Sequence, residues 1–354
     1  MKKMQKRIEV LLAIATCALS ACMYLSRKEP QPTIEEAVPV VEEEEVVPEH
    51  EDDWLADRPL RDIPSDAAFG AYLVSQFAQV SNDYATAAKA AAQALEKDAT
   101  QPELLHQTYL LYVLSGQLKE ALPYAKQALE MDSGNLLPRL ALFTDMVQQK
   151  KYDEAVQLMS VEQREGYTIL LSPLIKAWLL VGQNNMDEAL LSLEALKSNQ
   201  ELSALYWFNR ALIFEYFKKI PQAQEAYDAL FADVKPRRLL RVMLAMNRFY
   251  TQNNLEPADS DFVTMYQQMQ ADSFSGREIM TSDLSTFRVD TPQKGLALVL
   301  NDFSQLLVQM ESQKTALYLA QLAFALAPDS IMRLYIGELL EDLGQYEQAN
   351  RLYI

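Results

Sequence analysis

Apolar and small residues recur at helical spacing along residues 102–135. The first half carries one apolar stripe at i, i+3, i+4 and i+7, formed by Leu105, Thr108, Tyr109 and Tyr112. Ser115-Gly116-Gln117 interrupts the stripe and predicts a turn. The second half places small residues on one face, which lets a neighbouring helix approach closely: Ala121, Ala125 and Ala128. The stretch therefore predicts two helices joined by a short turn.

One alanine of the second helix returns at a fixed period of 34 residues, at Ala87, Ala121, Ala155, Ala189 and Ala223. A small residue at one repeated spacing is typical of a helical repeat array, in which each helix pair contacts its neighbours. The chain has only 9 glycines and is 49% apolar, which suits stacked helices around a continuous core. We therefore predict an all-α solenoid.

The repeat resembles the tetratricopeptide repeat, a helix–turn–helix of this length, over about residues 68–354. The residues at the hallmark positions of that family are Leu105, Thr108, Tyr109, Tyr112, Ala121, Ala125, Ala128 and Ser133. Tyr109 and Ser133 depart from the family pattern, which has a small residue and a proline at these two places. The resemblance implies a right-handed superhelix whose concave groove binds protein partners.

The N-terminus carries the pattern of a secretory signal peptide over residues 1–21. A basic stretch precedes an apolar core at residues 10–19, which is shorter than the about 20 residues that span a bilayer. The core ends in Leu19-Ser20-Ala21-Cys22, which resembles the lipobox of bacterial lipoproteins. The resemblance implies cleavage before Cys22 and a diacylglycerol on its thiol. The alternative is an uncleaved signal-anchor that continues through residues 23–25.

Residues 22–64 are predicted to be a disordered tether. They contain six prolines and an acidic run at residues 42–45, followed by further acidic residues up to Asp53. Low hydrophobicity and like charge cannot offset the entropy of ordering. The segment is either a plain spacer or an acidic bait for a basic partner. Trp54-Leu55, near its end, are candidates for docking back onto the array.

Five repeats are predicted over residues 65–234, after which the register is lost. Residues 235–250 and 259–270 predict the two helices of a degenerate repeat, and residues 272–292 predict a loop or irregular insertion. This degenerate region is placed at 235–295. Repeats return over 296–354, and the last of them is expected to be cut short at Ile354, as in a fragment of a longer array.

Charge and motifs exclude several classes of function. The net charge of −17 leaves no basic surface large enough for a row of phosphates, so we predict no nucleic-acid binding. The chain has two histidines, His50 and His106, and no glycine-rich phosphate loop, paired-histidine metal motif or CxxC. We therefore predict a protein that is not an enzyme and that uses no metal, cofactor or small-molecule substrate.

The resemblance assigns the lining of the groove to fixed positions of each first helix. From these positions we predict a peptide-binding groove that contains His106, Leu110, Leu140, Thr144, Leu174, Trp178, Phe208, Leu212, Glu215 and Tyr216. This lining is apolar and aromatic, so it fits an extended apolar or helical peptide better than an acidic tail. The alternative for Trp178 and Phe208 is that they pack against a neighbouring helix and form no exposed patch.

A basic cluster stands out on this acidic chain, formed by Lys235, Arg237, Arg238 and Arg241. On a helix, Arg238 and Arg241 would share one face. We expect the cluster to be solvated or paired with nearby acids, and an anionic partner is the alternative.

Together these patterns predict a membrane-anchored scaffold or adaptor that binds partner proteins in cell-envelope assembly. In enterobacterial lipoproteins an Asp after the lipidated cysteine holds the protein at the inner membrane, so Met23 favours the outer membrane, facing the periplasm. The alternatives are an accessory subunit of an envelope enzyme, a repeat protein with an uncleaved signal-anchor, and the N-terminal part of a larger enzyme.

Overall fold

The computed structural model of the chain describes residues 67–97, 101–160, 168–197, 202–234, 240–274 and 288–353. The predicted signal peptide, Cys22, the acidic tether and residues 235–238 of the basic cluster lie outside these ranges.

The described residues form helices joined by turns. The helices are α1 (Ala67–Val80), α2 (Tyr84–Lys97), α3 (Pro102–Leu114), α4 (Leu118–Met131), α5 (Leu136–Gln148), α6 (Tyr152–Met159), α7 (Thr168–Gly182), α8 (Met186–Lys197), α9 (Ser203–Tyr216), α10 (Ile220–Val234), α11 (Leu240–Asn253), α12 (Asp261–Phe274), α13 (Pro292–Gln309), α14 (Gln313–Leu326), α15 (Ser330–Asp342) and α16 (Tyr346–Tyr353). The all-α fold predicted from the sequence is therefore confirmed. Among these helices none is long and apolar enough to cross a bilayer.

A left-handed residue closes the first helix of each repeat. Its positions in the first five repeats are again 34 residues apart: Asn82, Gly116, Lys150, Asn184 and Lys218. At the end of α3, the Gly116 N–H donates to the Val113 carbonyl and the Gln117 N–H to the Tyr112 carbonyl, at 2.9 and 2.8 Å. These two bonds satisfy carbonyls that a helix end otherwise leaves unpaired. The same turn therefore precedes the second helix of each of these repeats, and that helix starts at the same point of the 34-residue period.

The repeated alanines lie where consecutive helices meet. Ala87, Ala121, Ala155, Ala189 and Ala223 are all fully buried, as the period predicted. Each of the helices α1 to α9 packs against the next one in the chain, so the first five repeats form one continuous stack. A larger side chain at these alanines would push the paired helices apart, because protein interiors are packed too densely to absorb it.

The C-terminal helices return to the same repeat geometry. In the first repeat, the buried Ser75 hydroxyl donates to the Ala87 carbonyl at 2.9 Å. In α13 the buried Ser304 hydroxyl donates to the Ala316 carbonyl at 2.7 Å, across the same separation of 12 residues. The equivalent hydrogen bond shows that α13 and α14 pair as the helices of one repeat.

Helix bounds between residues 235 and 296 differ from the predicted ones. The two degenerate helices are α11 and α12, and α12 continues to Phe274, inside the stretch predicted to be irregular. Helix α13 begins at Pro292, which lies before the predicted boundary at residue 296. Proline suits this first position because its missing N–H has no partner there in any case, and the Thr291 hydroxyl accepts from the Lys294 N–H.

The end of the described chain lies against its beginning. The turn before α16 contains Gly344, and a Cβ at this glycine would lie 3.0 Å from the side-chain nitrogen of Asn82 in the first turn. The Gln348 side chain of α16 reaches the Leu114 carbonyl at the end of α3, at 3.5 Å. The C-terminal helices therefore fold back onto the first repeats.

Candidate functional site

The predicted groove is the face lined by the first helices of repeats two to five, α3, α5, α7 and α9, and we call it the groove face. Helix α13 packs against α7, and helix α14 packs against α3 and α5. We call α13 and α14 the C-terminal hairpin. The C-terminal hairpin of the same chain therefore covers much of the groove face.

Trp178 of α7 is the centre of this contact. Its side chain is fully buried, and its indole N–H donates to the Asn209 side-chain oxygen at 2.9 Å. A Cβ at Gly295 of α13 would lie 2.1 Å from the indole ring. Since real Cβ atoms do not approach so closely, only glycine allows α13 to lie on the tryptophan. The ring and the glycine together set how deeply the hairpin sits.

Polar side chains join the hairpin and the groove face through backbone carbonyls near helix ends. The Gln321 and Gln293 side chains donate to the Leu114 and Val147 carbonyls, at 3.3 and 3.4 Å. In return, the Gln148 side chain of α5 donates to the Ala325 carbonyl in the last turn of α14, at 2.6 Å. The last four carbonyls of a helix have no partner within it. The hairpin and the groove face therefore cap each other's helices.

A buried tyrosine adds a further hydrogen bond between α14 and α5. The Tyr318 hydroxyl of α14 donates to the Leu137 carbonyl of α5 at 2.7 Å, between residues 181 positions apart in sequence. Apolar packing and directed hydrogen bonds thus hold the hairpin in one register.

Most of the predicted groove residues are buried. Leu140, Thr144, Leu174, Trp178, Phe208 and Leu212 are all below 2% exposed. The Thr144 hydroxyl donates to the Leu140 carbonyl one turn earlier, at 2.8 Å, so its polar group is satisfied within α5. Trp178 and Phe208 consequently form no exposed patch, and their packing agrees with the alternative reading. Their role in partner binding stays a prediction.

The remaining predicted residues, His106, Leu110, Glu215 and Tyr216, are half-buried. The His106 ring packs edge-on against Tyr109 with centroids 4.9 Å apart, and the tyrosine hydroxyl lies 3.1 Å from Nδ1. Burial lowers the pKa of His106, which favours the neutral imidazole at neutral pH. Tyr216 packs edge-on against Phe217 with centroids 5.1 Å apart.

Glu215 takes part in a buried ion pair. Both of its carboxylate oxygens accept from the Arg248 guanidinium of α11, one of them at 2.7 Å. The Tyr227 hydroxyl donates to the same carboxylate at 3.0 Å. Burial raises the pKa of Tyr227 well above its ordinary value, so this hydroxyl keeps its proton. The predicted groove carboxylate is therefore engaged inside the chain.

A second ion pair ties α11 to the hairpin. Arg241, the described member of the basic cluster, pairs with the buried Asp302 of α13. Burial raises the pKa of Asp302, although Arg241 acts in the opposite direction. The pairing of Arg241 agrees with the expectation that the cluster meets nearby acids. Within the described ranges, no group of three or more His, Cys, Asp or Glu could hold a metal ion.

Sequence reasoning did not find the residues that seat the hairpin. Gly295, Gln293, Tyr318 and Gln321 fall at no unusual spacing, and their partners lie between 117 and 207 positions away in the sequence. The one available signal was the glycine that directly precedes the apolar run 296–300 of α13, since a glycine inside a helical pattern often has a packing reason.

Comparison with known proteins agrees with a helical repeat architecture. A family model described as tetratricopeptide repeat matches residues 112–161. No curated protein sequence matches the chain significantly.

Three solved structures resemble the fold at low identity. They are "Structure of Naa15/Naa10 bound to HypK-THB" (11% identity, 80% of this chain and 52% of that chain, TM-score 0.37), "Crystal structure of APC/C hetero-tetramer Cut9-Hcn1" (14%, 81% and 65%, TM-score 0.31) and a tetratricopeptide repeat protein from Parabacteroides merdae (12%, 81% and 91%, TM-score 0.27). The chain spans about half the length of the first of these. Identities and scores this low say nothing about partners or activity.

The class follows from the repeat and the fold. An all-helical solenoid that contains a tetratricopeptide repeat is the architecture of a protein–protein interaction scaffold.

Proposed function

We propose that the protein is a lipid-anchored scaffold of the bacterial cell envelope that binds helical segments of partner proteins on its groove face. The C-terminal hairpin is the observation that supports a helical partner, because two helices of this chain already lie on that face. A surface that seats an apolar helix through close packing and through bonds to helix-end carbonyls is suited to others of the same kind.

The anchor is proposed from the N-terminal sequence. Cleavage before Cys22 would leave an acylated cysteine followed by a tether of about 40 residues, whose root-mean-square reach is roughly 35 Å if it behaves as a coil. Holding the array near one membrane would raise its effective concentration for partners at that membrane. Met23 supports the outer membrane, with the array in the periplasm.

The part of the groove face proposed for a partner is the part that remains half-buried. Leu110 of α3 and Tyr216 of α9 keep exposed surface, whereas the residues between them are covered. A partner helix could pack there beside the hairpin. Energetically important contacts at interfaces concentrate in Trp, Tyr and Arg, so Tyr216 is the stronger candidate of the two.

The test is photocrosslinking in bacterial envelopes, with a photoreactive residue at Leu110 or Tyr216. Leu191 of α8 is the matched control, since it is exposed but lies on a second helix. We expect adducts of the same mass from Leu110 and Tyr216 and none from Leu191. Equal adducts from all three positions, or none from the two groove positions, would contradict a groove-bound partner. Assaying the captured protein for enzymatic activity would then identify an accessory role.

A further inference from the structure

Helix α1 shows the reverse of the usual pattern for a surface helix. Its inner side consists of small residues, among them the buried Ser75 and Ala78, which pack against the alanines of α2. Its outer side carries large apolar residues, and we call this the α1 face: Phe69, Tyr72, Leu73, Phe77 and Val80. Phe77 is 75% exposed and Val80 is 82% exposed. The helix contains no charged residue at all.

An apolar face of this size is unusual on a folded monomer. A helix of 14 residues is about 21 Å long, and the α1 face runs along its whole length. Contiguous apolar patches of this kind mark surfaces that something covers. Every later first helix up to α9 is covered by the second helix of the preceding repeat, whereas α1 has no preceding helix among the described residues.

We propose that residues 54–63 of the same chain cover the α1 face. This segment precedes α1 directly, and its two aspartates and two arginines balance in charge. It holds four large apolar residues: Trp54, Leu55, Leu60 and Ile63. Pro64 disfavours a helical conformation at the residue before it, so the segment is not expected simply to lengthen α1. It takes the place that a preceding second helix occupies in the later repeats.

The length of chain allows this arrangement. Trp54 lies 13 residues before Ala67, which corresponds to at most about 45 Å of extended chain. That is more than twice the length of α1, so Trp54 can reach any residue of the face. Because the segment is covalently joined, its docking does not cost the association entropy of a separate molecule.

Two other occupants fit less well. A second copy would have to bind through one 14-residue helix, which offers far less than the about 800 Å² per partner of a stable interface. Two chains of net charge −17 would also repel each other. Helices that lie on membrane surfaces carry Lys or Arg on the polar side, and α1 has neither.

The test compares the reactivity of two cysteines in the full chain with Cys17→Ser and Cys22→Ser, which leaves no native thiol. Leu73→Cys reports on the middle of the α1 face, and Leu191→Cys is the matched control at a residue that is 69% exposed on α8. We expect maleimide to label the Leu73→Cys thiol roughly tenfold more slowly than the Leu191→Cys thiol, as for a site that reacts only after local opening. Replacing Trp54, Leu55, Leu60 and Ile63 together by Ser should bring the two rates together, with unchanged circular dichroism.

Every other outcome overturns the proposal. Equal rates with the native segment would mean that the face is open. Slow labelling of the Leu73→Cys thiol that persists after the serine substitutions would show that something other than residues 54–63 covers the α1 face. Protection that grows with protein concentration would indicate a second copy, and protection that appears only with anionic phospholipid vesicles would indicate the membrane.

Discussion

The Trp178 ring of α7 lies directly on the backbone of Gly295 in α13, where a Cβ would be 2.1 Å from the ring. This contact joins residues of the fourth repeat and of the C-terminal hairpin. Because of this contact, helices of the same chain cover part of the groove face. The contact requires a glycine at position 295.

Replacing Gly295 by Ala should therefore destabilise the protein, although alanine is the better helix former. We expect a loss of about 1–3 kcal/mol in the free energy of unfolding, because the added methyl group must displace the buried indole. Urea unfolding followed by circular dichroism measures it.

The matched control for this substitution is Gly70→Ala in α1, where a Cβ would meet nothing within 4 Å. Helix propensity alone should make that variant more stable by roughly 0.5–1 kcal/mol. If both variants were stabilised to the same extent, α13 would not lie on Trp178.

Removing the charge of Glu215 should also be costly. The Glu215→Gln variant leaves the buried Arg248 guanidinium without its carboxylate, and breaking a buried pair on one side costs about 3–5 kcal/mol. Denaturant unfolding measures the change.

The exposed pair between Lys294 and Asp290 provides the comparison, since both side chains are more than 40% exposed. Asp290→Asn should change stability by less than about 1 kcal/mol. Similar effects of the two substitutions would show that Glu215 is not held in a buried pair.

Alkaline pH should unfold the protein through its buried tyrosines. Burial raises the pKa of Tyr206 to about 12, against about 10 in an unfolded chain. Between these values the unfolded state binds fewer protons than the folded state, so stability falls as the pH rises from 10 to 12.

The measurement is a titration of tyrosinate absorbance alongside far-ultraviolet circular dichroism. We expect a large part of the ionisation to coincide with loss of helix, and Tyr206→Phe to shift that loss toward higher pH. Complete ionisation near pH 10 with the helices intact would contradict the burial of these hydroxyls.

Lipidation is tested by intact mass. Protein from the membrane fraction should lack residues 1–21 and carry acyl chains, and the Cys22→Ala variant should show neither change. An uncleaved and unmodified wild-type chain would rule out the lipoprotein and leave a signal-anchored repeat protein to be considered.

The sequence predicted the local structure well because that structure depends on spacing. The alanines at period 34 and the turn at Gly116 follow from helix geometry and from the needs of a closely packed helix pair. The closure of the array could not be predicted in the same way. It depends on pairs such as Tyr318 and Leu137, 181 positions apart, and on the absence of one side chain at Gly295.

The groove residues illustrate the same limit. Family positions identified the side chains that face inward, and Leu140, Leu174 and Phe208 do face a packed interior. Whether such a face is open or covered is decided by where the rest of the chain goes. Periodicity along one helix carries no information about that.

The most direct test of the account is a crosslink between the groove face and the hairpin. In the full chain with Cys17→Ser and Cys22→Ser, Gln148→Cys and Ala325→Cys should be joined within one chain by a short bis-maleimide, because the Gln148 side chain lies 2.6 Å from the Ala325 carbonyl. Adding Gly295→Leu should abolish this crosslink by displacing the hairpin. A monomeric chain in which the two thiols react separately, with or without the leucine, would show that the groove face is open.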